Sequence, residues 1–179
     1  LTLRSWCRDD SEAYRKIFEC PEISANQLEG SLGDWRSKLH FEQNLRKAEC
    51  PGFFEWALIE NSTGKVIGEI IFHPTNWLAR RGILGFNLLP AFWGSGYMTE
   101  GLTEASRFLM EHCGFLKLEA ATFADNLGAR RVLEKAGFRL VGESRLFVLK
   151  NGEWKNDARY ERIASPRGKS DQRPPVPSC

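Results

Sequence analysis

The 179-residue chain has no apolar run long enough to span a bilayer, so no membrane-crossing helix and no membrane partner are expected of these residues. Its five cysteines, Cys7, Cys20, Cys50, Cys113 and Cys179, are scattered, odd in number and nowhere spaced as C-x-x-C. Neither a metal site nor a disulfide framework is expected from them; reduced thiols are. Charge of one sign is lacking too. Its 25 basic and 23 acidic residues give a net charge of +2, which is no basis for a nucleic-acid partner. No secretory signal is recognisable from Leu1 onward, so the expected location is cytoplasmic. What is present, 42% hydrophobic and 27% charged residues, is ordinary for a soluble globular domain with one core.

The apolar pattern predicts an α/β (α+β) chain with a mixed sheet. Residues 1–6 alternate as a first strand, and Asp9, Asp10 and Ser11 offer N-cap oxygens to a short helix over 11–20 that Pro21 stops. Residues 22–33 have no period and read as a loop; 34–49 read as a second helix ended by Pro51 and Gly52. Strands over 53–60 and 65–73 flank the turn from Asn61 to Gly64. A strand over 81–89 follows, then a helix whose apolar face is Met98, Leu102, Ala105, Leu109 and His112. A strand over 116–123 comes next. Asn126 is placed to cap a helix over 126–137 with Gly137 past its end, and strands over 139–150 and 156–164 form a closing hairpin. The strand–helix–strand step near residue 100 needs a crossover, hence a parallel pair. The expected domain is 1–164. The stretch 165–179 holds four of the chain's eight prolines and is expected to be a disordered tail.

The segment "PAFWGSGYMTEG", residues 90–101, puts closely spaced glycines between a strand and a helix. A helix start carries free backbone N–H groups and partial positive charge, and glycines let that backbone approach an anion. The turn around Gly94, Ser95 and Gly96 is either a phosphate or pyrophosphate cradle or a tight turn with glycines for packing. A P-loop needs a Gly-Lys pair that is absent here, and the glycine spacing does not match a dinucleotide fingerprint.

"NLLPAFWGSGYMTEGL" followed by "ADNLGARRVLEKAGF", about 30 residues on, resembles the acyl-CoA-binding core of the GNAT acetyltransferases. The likeness runs from about Leu3 to Ile163 and is nearest to the branch containing the ribosomal-protein alanine N-acetyltransferases. It implies a GNAT fold: a mixed, mostly antiparallel central sheet with flanking helices and a V-shaped split between two parallel strands. It implies acetyl-CoA as donor, an amine as acceptor, and a monomer or homodimer. Carried onto this chain, the resemblance implies that backbone of Leu88 and Leu89 pairs with the pantetheine amides. The N–H groups of Gly94, Ser95, Gly96, Tyr97, Met98 and Thr99 would hold the pyrophosphate. Asn126 would bond the pantetheine arm, as well as or instead of capping its helix. Arg130 or Arg131 would approach the nucleotide phosphates, the alternative being a solvated helix face. Relatives often carry Gly or Ala at Met98, whose side chain must therefore point into the core, and Gln or Arg at Trp93.

The same resemblance leaves the proton chemistry open. Many relatives have Glu at Ile83, Ser at Ala129 or Tyr at Leu133, and none of these is present. Acyl transfer to an amine still needs a base, an oxyanion donor and an acid or screen for the thiolate. Backbone N–H near Leu88 or Leu89 can serve the oxyanion. Glu69 and His73 share one face of a strand, and either is a base candidate or a structural residue, with His73 intrinsically the better suited. Tyr160 is a candidate donor to sulfur. Water relayed by backbone carbonyls is a further route. At pH 7 a lysine amine (pKa ~10.4) is roughly 0.04% neutral and an α-amine (pKa ~7.8) about 14%, so a site without the glutamate is better matched to a low-pKa amine. Residues 22–52 and the last hairpin would form the acceptor side, where Trp35, Trp77 and Trp154 line a slot or join the core. The sequence thus reads as an acetyl-CoA-dependent N-acetyltransferase acting on a protein or peptide α-amine or a small-molecule amine, with a catalytically weak acyl-CoA-binding module as the alternative.

Overall fold

A computed structural model describes residues 1–27, 34–47 and 52–164. The strands are β1 (Thr2–Ser5), β2 (Phe54–Ile59), β3 (Val66–Asn76), β4 (Arg81–Leu88), β5 (Lys117–Phe123), β6 (Arg139–Lys150) and β7 (Glu153–Ile163). They form one sheet in the order β1-β2-β3-β4-β5-β7-β6. The pairings are antiparallel except β4 with β5. The helices are α1 (Ser11–Phe18), α2 (Pro21–Ser24), α3 (Asp34–Lys47), α4 (Tyr97–Glu111) and α5 (Leu127–Lys135).

Alternation along the strands sends successive side chains to opposite faces, and both faces of the sheet's middle are covered. Leu58, Ile70, Phe72 and Leu84 pack with Leu102, Ala105 and Leu109 of α4 and Leu133 of α5. On the other face Ala57 packs with Trp6, Tyr14, Ile17 and Phe18, and with Phe41 of α3. Trp77, partly buried, joins the first core against Phe115, whereas Trp154 is 56% exposed. The Trp35 side chain lies outside the described residues.

Most predicted elements are present with shifted ends. Pro21 does stop α1, but it also opens α2 from its first position, where a missing N–H removes no helical bond and the fixed φ suits the helix. The region read as loop from residue 22 thus begins in a helix. β3 runs past His73 to Asn76 with a register shift at Pro74, which cannot donate to the ladder. β7 begins at Glu153, not 156, because the turn at Asn151 and Gly152 is tight and both residues take positive φ. The expected tail at 165–179, the rest of the loop to 33 and the end of the helix predicted over 34–49 fall outside the described residues.

The close approach of β3 to β4 depends on Gly68. A Cβ there would sit 2.4 Å from the Asn87 carbonyl oxygen. Backbone cannot step aside as a side-chain tip can, so Gly68→Ala is expected to lower stability by about 2 kcal/mol, measurable by urea unfolding.

Candidate active site

β4 and β5 are joined at one end only. Their ladder comprises Arg81 with Lys117, Gly82 with Leu118 and Ile83 with Glu119; beyond it the strands run on to Leu88 and Phe123 without pairing. The closed end is pinned by Arg81, whose Nη2 donates to both Glu119 oxygens at 3.0 and 2.9 Å. Lys117 adds a contact to Glu119 at 3.2 Å. Burial works to raise the Glu119 pKa, but the two cations outweigh it and hold the carboxyl below its ordinary range. The result is a sheet that opens as a V, with α4 and α5 each starting near the open end.

Strand geometry decides which backbone groups face the opening. The Leu89 N–H donates to Ile67 O at 2.9 Å, toward β3, and the Arg80 carbonyl accepts from Leu116 N at 2.8 Å, toward β5. With the alternation of a strand, the even-numbered backbone groups of Phe86 and Leu88 point across the split. Leu89 does not share this role, since its carbonyl also takes the Phe92 N–H at 3.0 Å. The Leu88 carbonyl accepts the Trp93 indole N–H at 2.7 Å.

Next to this edge the chain turns through Pro90–Phe92 and enters α4. Gly94 and Gly96 have φ of 75° and 84°, a region that favours glycine, and no side chain caps the helix at Gly96. A Cβ at either glycine would meet nothing within 4 Å among the described residues. Gly94, Ser95 and Gly96 are exposed, Tyr97 donates from its hydroxyl to Glu60 at 2.7 Å, and Met98 is buried in the core. The turn is thus an open, uncapped helix start, able to receive an anion on its N–H groups. Asn126 caps α5, its Oδ1 accepting from Ala129 N at 3.1 Å. Arg130 turns inward instead: it donates to Tyr160 Oη at 3.1 Å and Ala124 O at 2.9 Å, and pairs with Glu143 at 2.9 Å. Arg131 is exposed.

The opposite face of the opening carries the ionisable groups. Register places His73 across from Ile83, Ile71 across from Gly85 and Glu69 across from Asn87, with Glu55 beside Ile71 on β2. Ile83 is 41% exposed, and Gly85 is exposed with nothing near a would-be Cβ. Glu69 is fully buried, accepts from Asn87 Nδ2 at 2.7 Å through Oε1, and leaves Oε2 without a hydrogen-bond partner among the described residues. Burial, aided by nearby Glu55 and opposed by the Asn87 bond, pushes its pKa up to about 8. Glu55, also buried, approaches His73 Nε2 at 3.4 Å. Above them Tyr14 holds His40 Nδ1 and Asn44 Nδ2 at 2.5 Å each, and burial beside Glu69 and Glu55 raises its pKa.

The structure therefore brings Glu69 and His73 to one face but does not bring Tyr160 to it. Tyr160 pairs with Ala120, out of phase with Glu119 and Ile83. It is buried on the α5 side, donating to Glu134 Oε1 at 3.1 Å. Glu55, Asn87 and Gly85 join the face although the sequence reading did not single them out. The one signal was a glutamate inside each of two alternating apolar strands, "FFEWALIE" and "KVIGEIIFH". In the region expected to face the acceptor, Lys150 of β6 donates to Ser24 O at 2.5 Å and to Gln27 O, tying the last hairpin to the end of α2. No group of three or more His, Cys, Asp or Glu among the described residues is placed to hold a metal ion. No described helix is long and apolar enough to cross a membrane.

Glu69 makes a testable mark on stability. Unfolded, it titrates near 4.5; folded, near 8. Between these values the folded chain keeps a proton that the unfolded chain has lost, so stability falls as pH rises from about 4.5 to about 8. Glu69→Gln stays neutral throughout. Its stability relative to wild type should grow across that window by on the order of a few kcal/mol, read by urea unfolding at pH 5 and pH 8.

A split parallel pair, an uncapped glycine turn at its open end and ionisable groups on the far face match the arrangement that the sequence resemblance implies. The acetyltransferase (GNAT) domain family matches residues 1–139, and the chain belongs to that family. That membership makes it an acetyltransferase domain of a family that uses acetyl-CoA as co-substrate. It is 29% identical over 157 residues to the probable N-acetyltransferase YjcK of Bacillus subtilis, covering 87% of this chain and 82% of that protein. It is 29% identical over 97 residues to the uncharacterized N-acetyltransferase YoaA of the same organism, where the match spans 54% of this chain and 55% of YoaA. Its fold is shared with a spermidine N-acetyltransferase of Vibrio cholerae in complex with CoA and spermine: TM-score 0.81, 16% identity, 90% of this chain and 94% of the other.

Proposed function

We propose that this chain moves the acetyl group of acetyl-CoA directly to a primary amine in a ternary complex, in the cytoplasm, with His73 as general base. The observation that carries the reading is the position of His73, side by side with Ile83 on the face where the sheet opens. Many relatives in the family carry a glutamate at the Ile83 position; in this reading the base stands one strand away. In this reading the Gly94–Thr99 turn holds the pyrophosphate, and backbone of Phe86 and Leu88 pairs with pantetheine. Asn126 borders the arm. Arg131 is better placed than Arg130 to reach the nucleotide phosphates, since Arg130 is engaged by Tyr160, Ala124 and Glu143. The acceptor is an α-amine of a peptide or protein, as the resemblance to the ribosomal-protein alanine branch supports, or a small-molecule amine of similar pKa. An amine partly neutral at pH 7 asks less of an imidazole than a lysine does.

The test is CoA release from acetyl-CoA with free-N-terminal peptides, Nα-blocked lysine peptides, spermidine and small amines. Turnover is expected for the free-N-terminal peptides or the low-pKa small amines at pH 7. CoA binding without turnover across the panel would instead favour a catalytically weak acyl-CoA-binding module. The observation behind that second reading is that Ile83 and Ala129 carry no ionisable group and Leu133 is fully buried in the core.

A further inference from the structure

We infer that Glu55 is the positioning residue for His73, holding the imidazole by Nε2 so that Nδ1 is the nitrogen presented to the incoming amine. The inference rests on His73 acting as the base. Glu55 is 6% exposed, and its Oε1 lies 3.4 Å from His73 Nε2. The His73 side chain is 41% exposed, so one end of the ring meets a buried carboxyl group while the residue as a whole reaches solvent. Phe53 flanks the ring, with centroids 5.7 Å apart. A buried carboxylate costs free energy unless something compensates it, and Glu55 Oε2 has no hydrogen-bond partner among the described residues. A cation forming on His73 during the reaction would supply that compensation.

The groups around the pair are consistent with this division of labour. Glu69 follows on β3, Tyr14 reaches in from α1, and His40 and Asn44 come from α3. Tyr14 and Asn44 bond each other, and Asn87 holds Glu69. Glu69 is held by Asn87 and lies across from Ala57, two residues further along β2, so Glu55 is the carboxyl group that faces the imidazole. The chemistry then balances as follows. The amine nitrogen attacks the acetyl carbonyl carbon, the new C–N bond forms and the C–S bond breaks. The proton leaving nitrogen moves to His73 Nδ1, while Nε2–H remains donated to Glu55. CoA departs as thiolate and takes a proton from solvent, to which the imidazolium returns its own. The same logic holds a histidine in one tautomer in hydrolase triads.

Two measurements test this. In wild type at a pH where His73 is neutral, ¹⁵N-detected ring correlations should show the proton on Nε2. In Glu55→Gln, kcat should fall at least about tenfold with the KM for acetyl-CoA unchanged, and the ring should shift toward the Nδ1–H tautomer. A wild-type ring protonated on Nδ1, or a folded Glu55→Gln enzyme with kcat within about twofold of wild type, would overturn the inference. If Glu55→Gln fails to fold, the wild-type spectrum decides. If His73→Ala leaves kcat unchanged, the base assignment fails and the positioning role with it. Loss of activity in His73→Ala with an indifferent Glu55→Gln would reject the positioning role alone.

Discussion

Gly96→Asp should bind CoA about a thousandfold more weakly than wild type while remaining folded. Both halves follow from the geometry. A Cβ at Gly96 would meet nothing within 4 Å, and the φ of 84° is one that Asp tolerates better than most residues. The fold therefore has room for the side chain, and that room is where a phosphate would lie. An added carboxylate about 4 Å from a phosphate, at an effective dielectric of ~20, opposes binding by about 4 kcal/mol, equivalent to about three decades in Kd. Gly96→Ala carries the Cβ without the charge and should lose much less. Isothermal titration with CoA, beside melting curves for both variants, checks the pair. Unchanged affinity in a folded Gly96→Asp protein would remove the phosphate from this turn.

His73→Ala should lower kcat/KM by about a hundredfold or more at neutral pH, the lower end for loss of a general base, with CoA affinity intact. Glu69→Gln should matter less, because Glu69 is fully buried and cannot meet a substrate amine directly. If Glu69 relays a proton through water, the order of the two variants reverses. If the acceptor is an α-amine that simply arrives neutral, both variants stay near wild type and the pH–rate profile follows the amine, near ~7.8. A pH–rate series on the three proteins with one good acceptor separates these cases. In the first, the acid-side fall of the wild-type profile should vanish in His73→Ala. A His73→Ala enzyme within about threefold of wild type would exclude it as the base.

The parts of the site legible in the sequence are those made by neighbours in the chain. The turn from Pro90 to Thr99 is contiguous, and its glycines announce the left-handed backbone found at Gly94 and Gly96. Asn126 sits where a cap must sit and makes the cap. Period two was enough to put Glu69 and His73 on one face. It could not reveal that Glu55 meets His73, because that contact depends on the β2–β3 register across a hairpin. Nor could it show that Tyr160 faces α5, since the phase of β7 relative to β4 is passed through β5. Arg130 illustrates a further limit. The family resemblance implied a phosphate ligand, while the buried Tyr160 hydroxyl and the Ala124 carbonyl engage the guanidinium instead. The raised pKa of Glu69 was hidden for a similar reason, being a property of its complete burial in the folded sheet.

In the proposed reading β4 serves donor and acceptor through the two phases of a single strand: even-numbered backbone toward the split, odd-numbered side chains Ile83, Asn87 and the bare Gly85 toward the face carrying His73 and Glu69. This has a consequence for how such a chain can change over evolutionary time. The connection at Leu78 and Ala79, with Leu78 fully exposed, can gain or lose residues without touching the arrangement, since it precedes the paired end. One residue inserted between Ile83 and Leu88 would exchange the two phases and turn Asn87 and Leu88 to each other's faces. Length variation in this domain should therefore be common in its connections and absent from β4, and within β4 new acceptor preferences should arise by substitution at the odd positions.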